Sequence, residues 1–277
     1  MEKKRHPIVF IVLLLLAVAF IAPIVILAIN SFKGKLFINT QPFALPSINK
    51  GTFAGWSNYI NGIDKTGFFN SFGYSLFITV GSTILILLAT SMTAWYIVRI
   101  NSRFTKVLYY LLVFSMVVPF QMVMFPMSKI SNMLHLGTPM GILLIYLGFG
   151  SGLSTFMFTG FVKSIPLEVE EQAMIDGCGP IRTFFSIVIH LLKPIIITVG
   201  ILNVMWIWND YLLPSLVLDT KYKTIPMAVQ YLKGGYGSVD MGAMMAVLVL
   251  AIIPVVIFYL LCQKYIVKGV AAGAVKG

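Results

Sequence analysis

Residues 8–29 read IVFIVLLLLAVAFIAPIVILAI, an uncharged apolar run that follows Lys3, Lys4 and Arg5. About 20 apolar residues in a helix cross the roughly 30 Å hydrocarbon core of a bilayer. The run is longer than the apolar core of a typical signal peptide, and no clear small-residue cleavage site follows it. We therefore predict a retained signal-anchor helix here, and a cleaved signal peptide is the alternative.

Further along the chain, more stretches have the length and apolar character of membrane-spanning helices. They are residues 72–98, 107–128, 139–162, 194–218 and 241–262. The chain of 277 residues is 58% hydrophobic and 10% charged, whereas an average globular chain is about a quarter charged. This balance excludes a soluble enzyme, a disulfide scaffold and a disordered chain. It predicts an all-α polytopic membrane protein with six transmembrane helices.

The net charge of +11 would suggest a nucleic-acid partner if the protein were soluble. In a membrane protein it reports topology instead, because Lys and Arg concentrate in cytoplasmic loops. With the N-terminus inside, twelve Lys and Arg residues fall in 61 cytoplasmic positions and eight in 78 external ones. The cytoplasmic segments are then 1–7, 99–106, 163–193 and 263–277. Six spans place both termini inside.

The segment 163–193 departs from this pattern, because its four acids outnumber its three basic residues. Pro166 and the acids after it are typical of the first turn of a helix, and Gly177 is typical of a helix stop. A second helical stretch is predicted over 181–192. A helix of about eleven residues is marginal in water and needs a surface to pack on. That surface is either the protein's own bundle or a basic groove of a cytoplasmic partner.

Residues 171–177 read EQAMIDG and, together with Ile187 and Pro194, resemble the EAA loop of ABC importer permeases. Glu171, Ala173 and Gly177 match the family pattern. The departures are Gln172 in place of Ala, Ile189 in place of Leu, and His190 in place of Pro. They leave a helix–turn–helix intact. The resemblance implies the type I ABC importer permease fold in a bacterial cell membrane.

A second resemblance lies in the C-terminal third. The stretches WNDYLLP (208–214), QKY (263–265) and GAVKG (273–277) look like those of sugar ABC permeases of the maltose-type second subunit. The resemblance implies half of a translocation pathway for a sugar or oligosaccharide, of the raffinose or multiple-sugar type. An ABC permease for an amino acid or phosphate is the alternative.

The resemblance also implies partners and a division of labour. We expect a second homologous permease subunit, two ATPase subunits or a homodimeric ATPase, and an extracellular solute-binding lipoprotein or periplasmic binding protein. ATP and Mg are expected on the ATPases, with no cofactor, no catalytic residue and no nucleic acid on this chain. The run Gly148–Gly152 lies in an apolar span, so it indicates close helix packing or a gate segment rather than a phosphate loop.

The family's coupling and tail contacts carry over to named residues. Contacts to the ATPases are expected from Glu170, Glu171, Gln172, Ala173, Asp176 and Gly177. The tail that reaches the ATPases would be Gly273, Ala274, Val275, Lys276 and Gly277, with a disordered end as the alternative.

The substrate pathway is predicted from polar and aromatic residues inside the spans. Asp210 is the one acid within a predicted span, and such residues are usually functional. Aromatic platforms beside amides and acids suit sugars. The candidates are Gln121, Asn203, Trp206, Trp208, Asn209 and Asp210. Structural roles are the alternatives, with Asp210 pairing with a polar neighbour and Gln121 making an interhelical hydrogen bond.

Two other functional classes fit the sequence poorly. A secondary transporter usually has more spans, internal repeats and buried ionisable residues. An intramembrane enzyme would need a catalytic set within the spans, and a metal role lacks suitably spaced ligands. We expect an N-terminal helix and external loop (1–71), a core permease domain (72–265) and a cytoplasmic tail (266–277).

Overall fold

Helices form over the apolar runs because a helix satisfies its backbone hydrogen bonds internally, as a bilayer demands. The computed structural model describes the backbone of residues 7–232 and 240–274, and the side chains of residues 7–232 and 240–265. In chain order the helices are α1 (Pro7–Ser31), α2 (Lys35–Thr40), α3 (Ser57–Thr66), α4 (Phe68–Arg99), α5 (Arg103–Ser115), α6 (Phe120–Met133), α7 (Gly141–Val162), α8 (Glu168–Ile175), α9 (Pro180–Thr183), a π-helical turn (Phe184–Val188), α10 (Ile189–Leu191), α11 (Lys193–Asn209), α12 (Leu212–Val217), α13 (Ile225–Tyr231) and α14 (Met241–Ala274).

The all-α prediction is confirmed over the described residues, which contain an isolated bridge between Lys33 and Phe53 but no β-strand. Among these helices α1, α4, α7 and α14 are each long and apolar enough to cross a membrane. Each covers one predicted span. The polytopic membrane fold predicted from the composition is therefore confirmed.

The other two predicted spans differ from their expected form, because each belongs to a sharply bent pair of helices. Helices α5 and α6 meet at 106° across a short break, so residues 107–128 do not form one helix. Pro119 begins α6, and the residue before a proline is disfavoured in a helix. Counting each bent pair as one span brings the described total from four to six.

The second bent pair joins residues 180–191 to α11 at 78°. Pro194 lies just after this bend and has no N–H to donate to the preceding turn. At its other end α11 stops at Asn209, and the short helix α12 follows. The predicted span 194–218 is therefore wrong in its outer part, where two helices replace one.

The chain divides into two compact units, and the first comprises the residues up to Ser71 together with 227–256. Its loop 30–71 is folded. The ring of Phe32 contacts those of Trp56 and Tyr59, at centroid distances of 5.4 and 5.2 Å. The Asn58 amide donates to the carbonyls of Ser31 and Lys33, at 2.8 Å each. These contacts join α3 to the end of α1.

The second unit comprises 72–226 and the residues from Ile257 onward. Glycines allow its helices to approach closely. A Cβ atom on Gly150 would lie 2.6 Å from Ile86 of α4, and one on Gly152 would lie 2.7 Å from the Leu112 carbonyl of α5. Both glycines belong to the run 148–152. The prediction that residues 148–152 allow close helix packing agrees with this geometry.

Candidate functional site

The first helix of the loop 163–193 is α8, which has eight residues rather than the predicted eleven. Its first turn contains three acids, where the positive end of the helix dipole stabilises negative charge. Gly177 follows with a φ of +81°. The amide of Cys178 bonds to the Ala173 carbonyl at 2.9 Å, and that of Gly177 to Met174 at 3.0 Å. This is a Schellman stop, which a left-handed glycine favours.

The second half of the loop runs from Pro180 to Leu191 as one helical stretch with a π-helical turn inside it. Its apolar face is buried against the membrane-spanning helices. The buried cluster consists of Ala94, Phe158, Val162, Ile165, Phe184, Val188, Leu192 and Val199. The loop is therefore fixed to the ends of α4 and α7 by an apolar core.

Glu170 is enclosed within the chain, with 1% of its surface exposed. Its carboxylate accepts hydrogen bonds from Arg99 Nη2 at 2.7 Å and from Arg99 Nε at 3.0 and 3.1 Å. The indole N–H of Trp95 donates to the second oxygen at 2.9 Å. Arg99 and Trp95 both belong to the end of α4, so a buried ion pair joins this span to α8.

The neighbouring residues of α8 differ in exposure. Glu171, Gln172 and Asp176 are exposed, and Ala173 is buried. Ile175 is 86% exposed, and Ile181 beyond the turn is 73% exposed. The helix therefore has one face on its own bundle and another, acidic and apolar, in the open. The sequence left two surfaces on which this helix could pack, and the structure shows it packed on the protein's own bundle.

A shallow depression of about 550 Å³ lies beside the exposed face. It is lined by Gly179, Pro180, Ile181, Arg182, Phe185 and Ser186. Exposed apolar patches rimmed by polar residues mark interaction sites. The loop 163–193 thus offers a continuous surface from α8 to the start of the second helical stretch.

Asp210 is the C-cap residue of α11, at the end of that helix. One carboxylate oxygen accepts the Tyr146 hydroxyl at 3.0 Å. The other accepts the amides of Leu212 and Leu213, at 3.0 and 3.3 Å, and so caps α12. The edge of Trp206 packs on Tyr146, with the ring centroids 5.5 Å apart. Asp210 and Trp206 thus meet through Tyr146.

The remaining pathway candidates lie apart from this group. Trp208 is buried against Phe72, with the ring centroids 5.9 Å apart. The Asn203 amide is buried and donates to Ser154 and to the Val199 carbonyl. Asn209 is exposed, with its amide on the Met205 carbonyl, and Gln121 is exposed on α6.

Three residues with evident roles escaped the sequence interpretation. Arg99 was counted only toward topology, although its spacing of four from Trp95 places both on one helix face. Tyr146 is a polar residue inside an apolar span, and this was the available signal for it.

No group of three or more metal-ligating His, Cys, Asp or Glu side chains occurs in the described part of the chain.

The predicted tail contacts fall largely outside the described structure. Gly273 and Ala274 end α14, and their side chains lie outside the described residues, as do Val275, Lys276 and Gly277 altogether. Cys178 and Cys262 are both free thiols.

Comparison with characterised proteins identifies relatives over nearly the whole chain. It is 38% identical over 264 residues to the probable starch degradation products transport system permease protein AmyC of Thermoanaerobacterium thermosulfurigenes, covering 95% of this chain and 94% of that protein. It is 32% identical over 280 residues to the multiple sugar-binding transport system permease protein MsmG of Streptococcus mutans, covering 99% of each.

A solved structure shares the fold. It is the crystal structure of a bacterial ABC transporter involved in the import of the acidic polysaccharide alginate, matched with a TM-score of 0.78 and 25% identity over 96% of this chain and 98% of that one. Residues 86–272 match the family described as binding-protein-dependent transport system inner membrane component. The resemblance of residues 171–177 to importer permeases is thereby confirmed, and the chain belongs to this family of multi-pass membrane permeases.

Proposed function

We propose that this chain forms half of the translocation pathway of an ABC importer for a sugar or oligosaccharide. The observation that carries the proposal is the two-faced helix α8, which is buried on its own bundle on one side and exposed on the other. Relatives named for starch degradation products and for multiple sugars support the substrate class, including the raffinose or multiple-sugar type. A second, homologous permease would complete the pathway.

The exposed face of α8 is our proposed docking surface for the ATPases. Glu171, Gln172 and Asp176 would make polar contacts there, and the exposed side chain of Ile175 would fill an apolar recess. Gly177 would permit close approach of the ATPase, whereas the buried Ala173 would permit close approach of α8 to its own bundle. Since ATP and Mg would bind the partner subunits, this chain would transmit their movement without hydrolysing ATP. The C-terminal residues 273–277 would make a second contact to the ATPases.

On the external side of the pathway we propose Trp206 as a stacking platform for a sugar ring. Its side chain is 41% exposed, and its edge is held by Tyr146. Asn209 lies three residues further along α11, and its exposed side chain would bond sugar hydroxyls. Trp208 and Asn203 are buried and would support the pathway, and Gln121 would contribute from α6.

Both termini are proposed to face the cytoplasm, which places α8 on the side of the ATPases. The basic residues of the inner segments support this orientation. The solute-binding protein, whether a lipoprotein or a periplasmic protein, would then dock on the external side.

Affinity purification of the chain in mild detergent tests the assembly. We expect an ATPase and a second permease to copurify, and expect Glu171→Ala to reduce the recovery of the ATPase while membrane insertion persists. Glu168→Ala removes a neighbouring exposed acid and is the matched control. Recovery of the chain alone, or unchanged ATPase recovery with Glu171→Ala, would contradict the docking proposal.

Uptake by the reconstituted importer tests the substrate class. Radiolabelled maltotriose and raffinose should accumulate, whereas a labelled amino acid and phosphate should not. Trp206→Ala should raise the KM for the sugar more than it lowers the maximal rate, because it removes a binding contact. Uptake of the amino acid or phosphate in place of both sugars would support the alternative.

A further inference from the structure

Two adjacent glutamates of α8 have opposite surroundings. Glu171 is exposed, whereas Glu170 is 1% exposed. A buried carboxylate is unfavourable unless it is paired and hydrogen-bonded. The environment of Glu170 therefore indicates a role in contacts within the chain rather than in contacts at its surface.

Both oxygens of Glu170 are already engaged. Arg99 supplies three hydrogen bonds, at 2.7 to 3.1 Å, and Trp95 supplies one, at 2.9 Å. Planar pairing of a guanidinium with a carboxylate fixes their relative orientation as well as their distance. The indole N–H adds a second direction, so Glu170 is held from two sides. The carboxylate has little capacity left for another subunit.

The donors both come from the last turns of α4. Trp95 and Arg99 are four residues apart and share a helix face. Arg99 also donates to the Ile165 carbonyl at 3.1 Å, and the Trp95 ring contacts Phe184 at a centroid distance of 5.5 Å. The end of α4 thus contacts the loop 163–193 at three places, which lie before α8, on α8 and after α8.

We infer that Glu170 is a positioning residue that locks α8 onto α4 through Arg99 and Trp95. This inference rests on the proposed function, and it assigns Glu170 a different part from Glu171. Glu171 would meet the ATPase, and Glu170 would convey the resulting displacement to α4. Without the lock, α8 would shift on the bundle while the span stayed in place.

Spin-label distances in the assembled importer test the lock directly and need no transported sugar. The labels go on Tyr96→Cys in α4 and Met174→Cys in α8, both exposed, in a Cys178→Ser, Cys262→Ser background. We expect the same distance in the ATP-free and vanadate-trapped states. Glu170→Gln should shift or broaden the distance, and Glu168→Gln, which neutralises an exposed acid of the same turn, should not. A shift in the unmutated importer, or none with Glu170→Gln, would overturn the inference.

Trp95→Phe keeps the ring packing while removing one donor, so it serves if Glu170→Gln fails to assemble. We expect it to produce a smaller change in the same distance. An unchanged distance in this variant, combined with loss of assembly in Glu170→Gln, would assign the pair to folding alone and overturn the inference.

Coupling efficiency is the second readout, with maltotriose as the probe in proteoliposomes. Glu170→Gln should reduce uptake per ATP hydrolysed by about two- to thirty-fold, the range expected for residues between coupled sites. Adding Arg99→Gln should reduce it by less than Arg99→Gln does alone, because the two side chains share one ion pair. Loss of ATPase recovery with Glu170→Gln would instead make Glu170 a contact residue. If Glu171→Ala leaves ATPase recovery intact, the docking proposal fails while the spin-label distances still decide the lock.

Discussion

Lys33 and Glu170 are the two charged side chains that lie fully buried among the described residues, and their charges are accommodated differently. Glu170 is neutralised by Arg99. The Lys33 ammonium instead donates to Asn30 Oδ1, the Gln41 carbonyl and the Pro42 carbonyl, at 2.8 to 3.2 Å. These three acceptors use all its N–H groups. Burial lowers the pKa of Lys33. The bonds tie residues 41 and 42 to the end of α1.

The pairing of Asp240 with Lys65 predicts an acid-sensitive contact between α3 and the start of α14. Burial favours a higher pKa for Asp240, but the bonds from Lys65 and the Ala243 amide, with the charges of Lys65 and Lys35, lower it below its ordinary value. A lowered folded-state pKa stabilises the fold above the unfolded pKa of about 3.9, and this contribution disappears as the pH falls through the folded-state value.

Thermal unfolding in detergent checks this contact between neutral pH and about pH 3. The wild-type melting temperature should fall further with acidification than that of Asp240→Asn, which lacks the titrating group. The difference should shrink in high salt, because both side chains are partly exposed. Asp64→Asn removes another exposed acid of the same unit and is the matched control for the change in charge. Parallel acid profiles for wild type and Asp240→Asn would refute the contact.

At this scale the sequence predicted which residues belong to the coupling loop but not which of them face inward. Glu170 and Glu171 are chemically identical and adjacent. Their difference arises from Arg99, which lies 71 residues away from Glu170 in the chain. Hydropathy and motif spacing describe local order, and they carry no information on such a distant partner.

At the scale of elements, the end of α8 depends on the backbone conformation of Gly177. Its φ of +81° is a left-handed conformation, and a Cβ at this position would meet nothing within 4 Å. Substitution therefore acts through the backbone alone. Gly177→Val should cost about 1–2 kcal/mol locally and reduce uptake, whereas Gly177→Asn should stay close to wild type because Asn tolerates this conformation. Uptake assays beside membrane-insertion blots separate the two, and equal uptake by both variants would exclude a backbone requirement.

The glycine run of α7 provides a matched set of substitutions. A Cβ on Gly152 would press on the backbone carbonyl of Leu112, whereas one on Gly148 would meet nothing within 4 Å. Gly152→Ala should therefore lower stability by about 1–3 kcal/mol through overpacking. Gly148→Ala should be neutral or stabilising, because Ala is the better helix former by about 1 kcal/mol. Thermal unfolding in detergent measures both, and an equal effect of the two would refute close packing at Gly152.

Prolines show why the bent spans escaped prediction. Pro23 and Pro254 lie inside α1 and α14, which continue through them. Pro119 and Pro194 lie beside the bends of the two bent helix pairs. The sequence contains all four and does not distinguish them, because neighbouring side chains decide whether a freed carbonyl is satisfied in place. Apolar length predicted where spans lie, and packing determined where they turn.

At the scale of the whole molecule, the charge pattern predicts the orientation. An impermeant maleimide should label Leu45→Cys in intact cells and Ile175→Cys only after permeabilisation, in a background without Cys178 and Cys262. Both positions are well exposed, at 74% and 86%. Labelling of Ile175→Cys in intact cells would reverse the proposed topology.

The family could be identified from seven residues, whereas the sugar pathway could not, since its candidates lie apart in the fold.

The bare surface of α1 has a consequence for biosynthesis. Among the four candidate spans, this helix comes first, is the most apolar, and buries none of the residues in its most apolar stretch. It can therefore partition from the translocon into lipid without waiting for a companion. Helix α7 is the least apolar of the four and has half of its window buried. We expect its insertion to depend on neighbouring helices, and α1 and α4 both precede it in the chain.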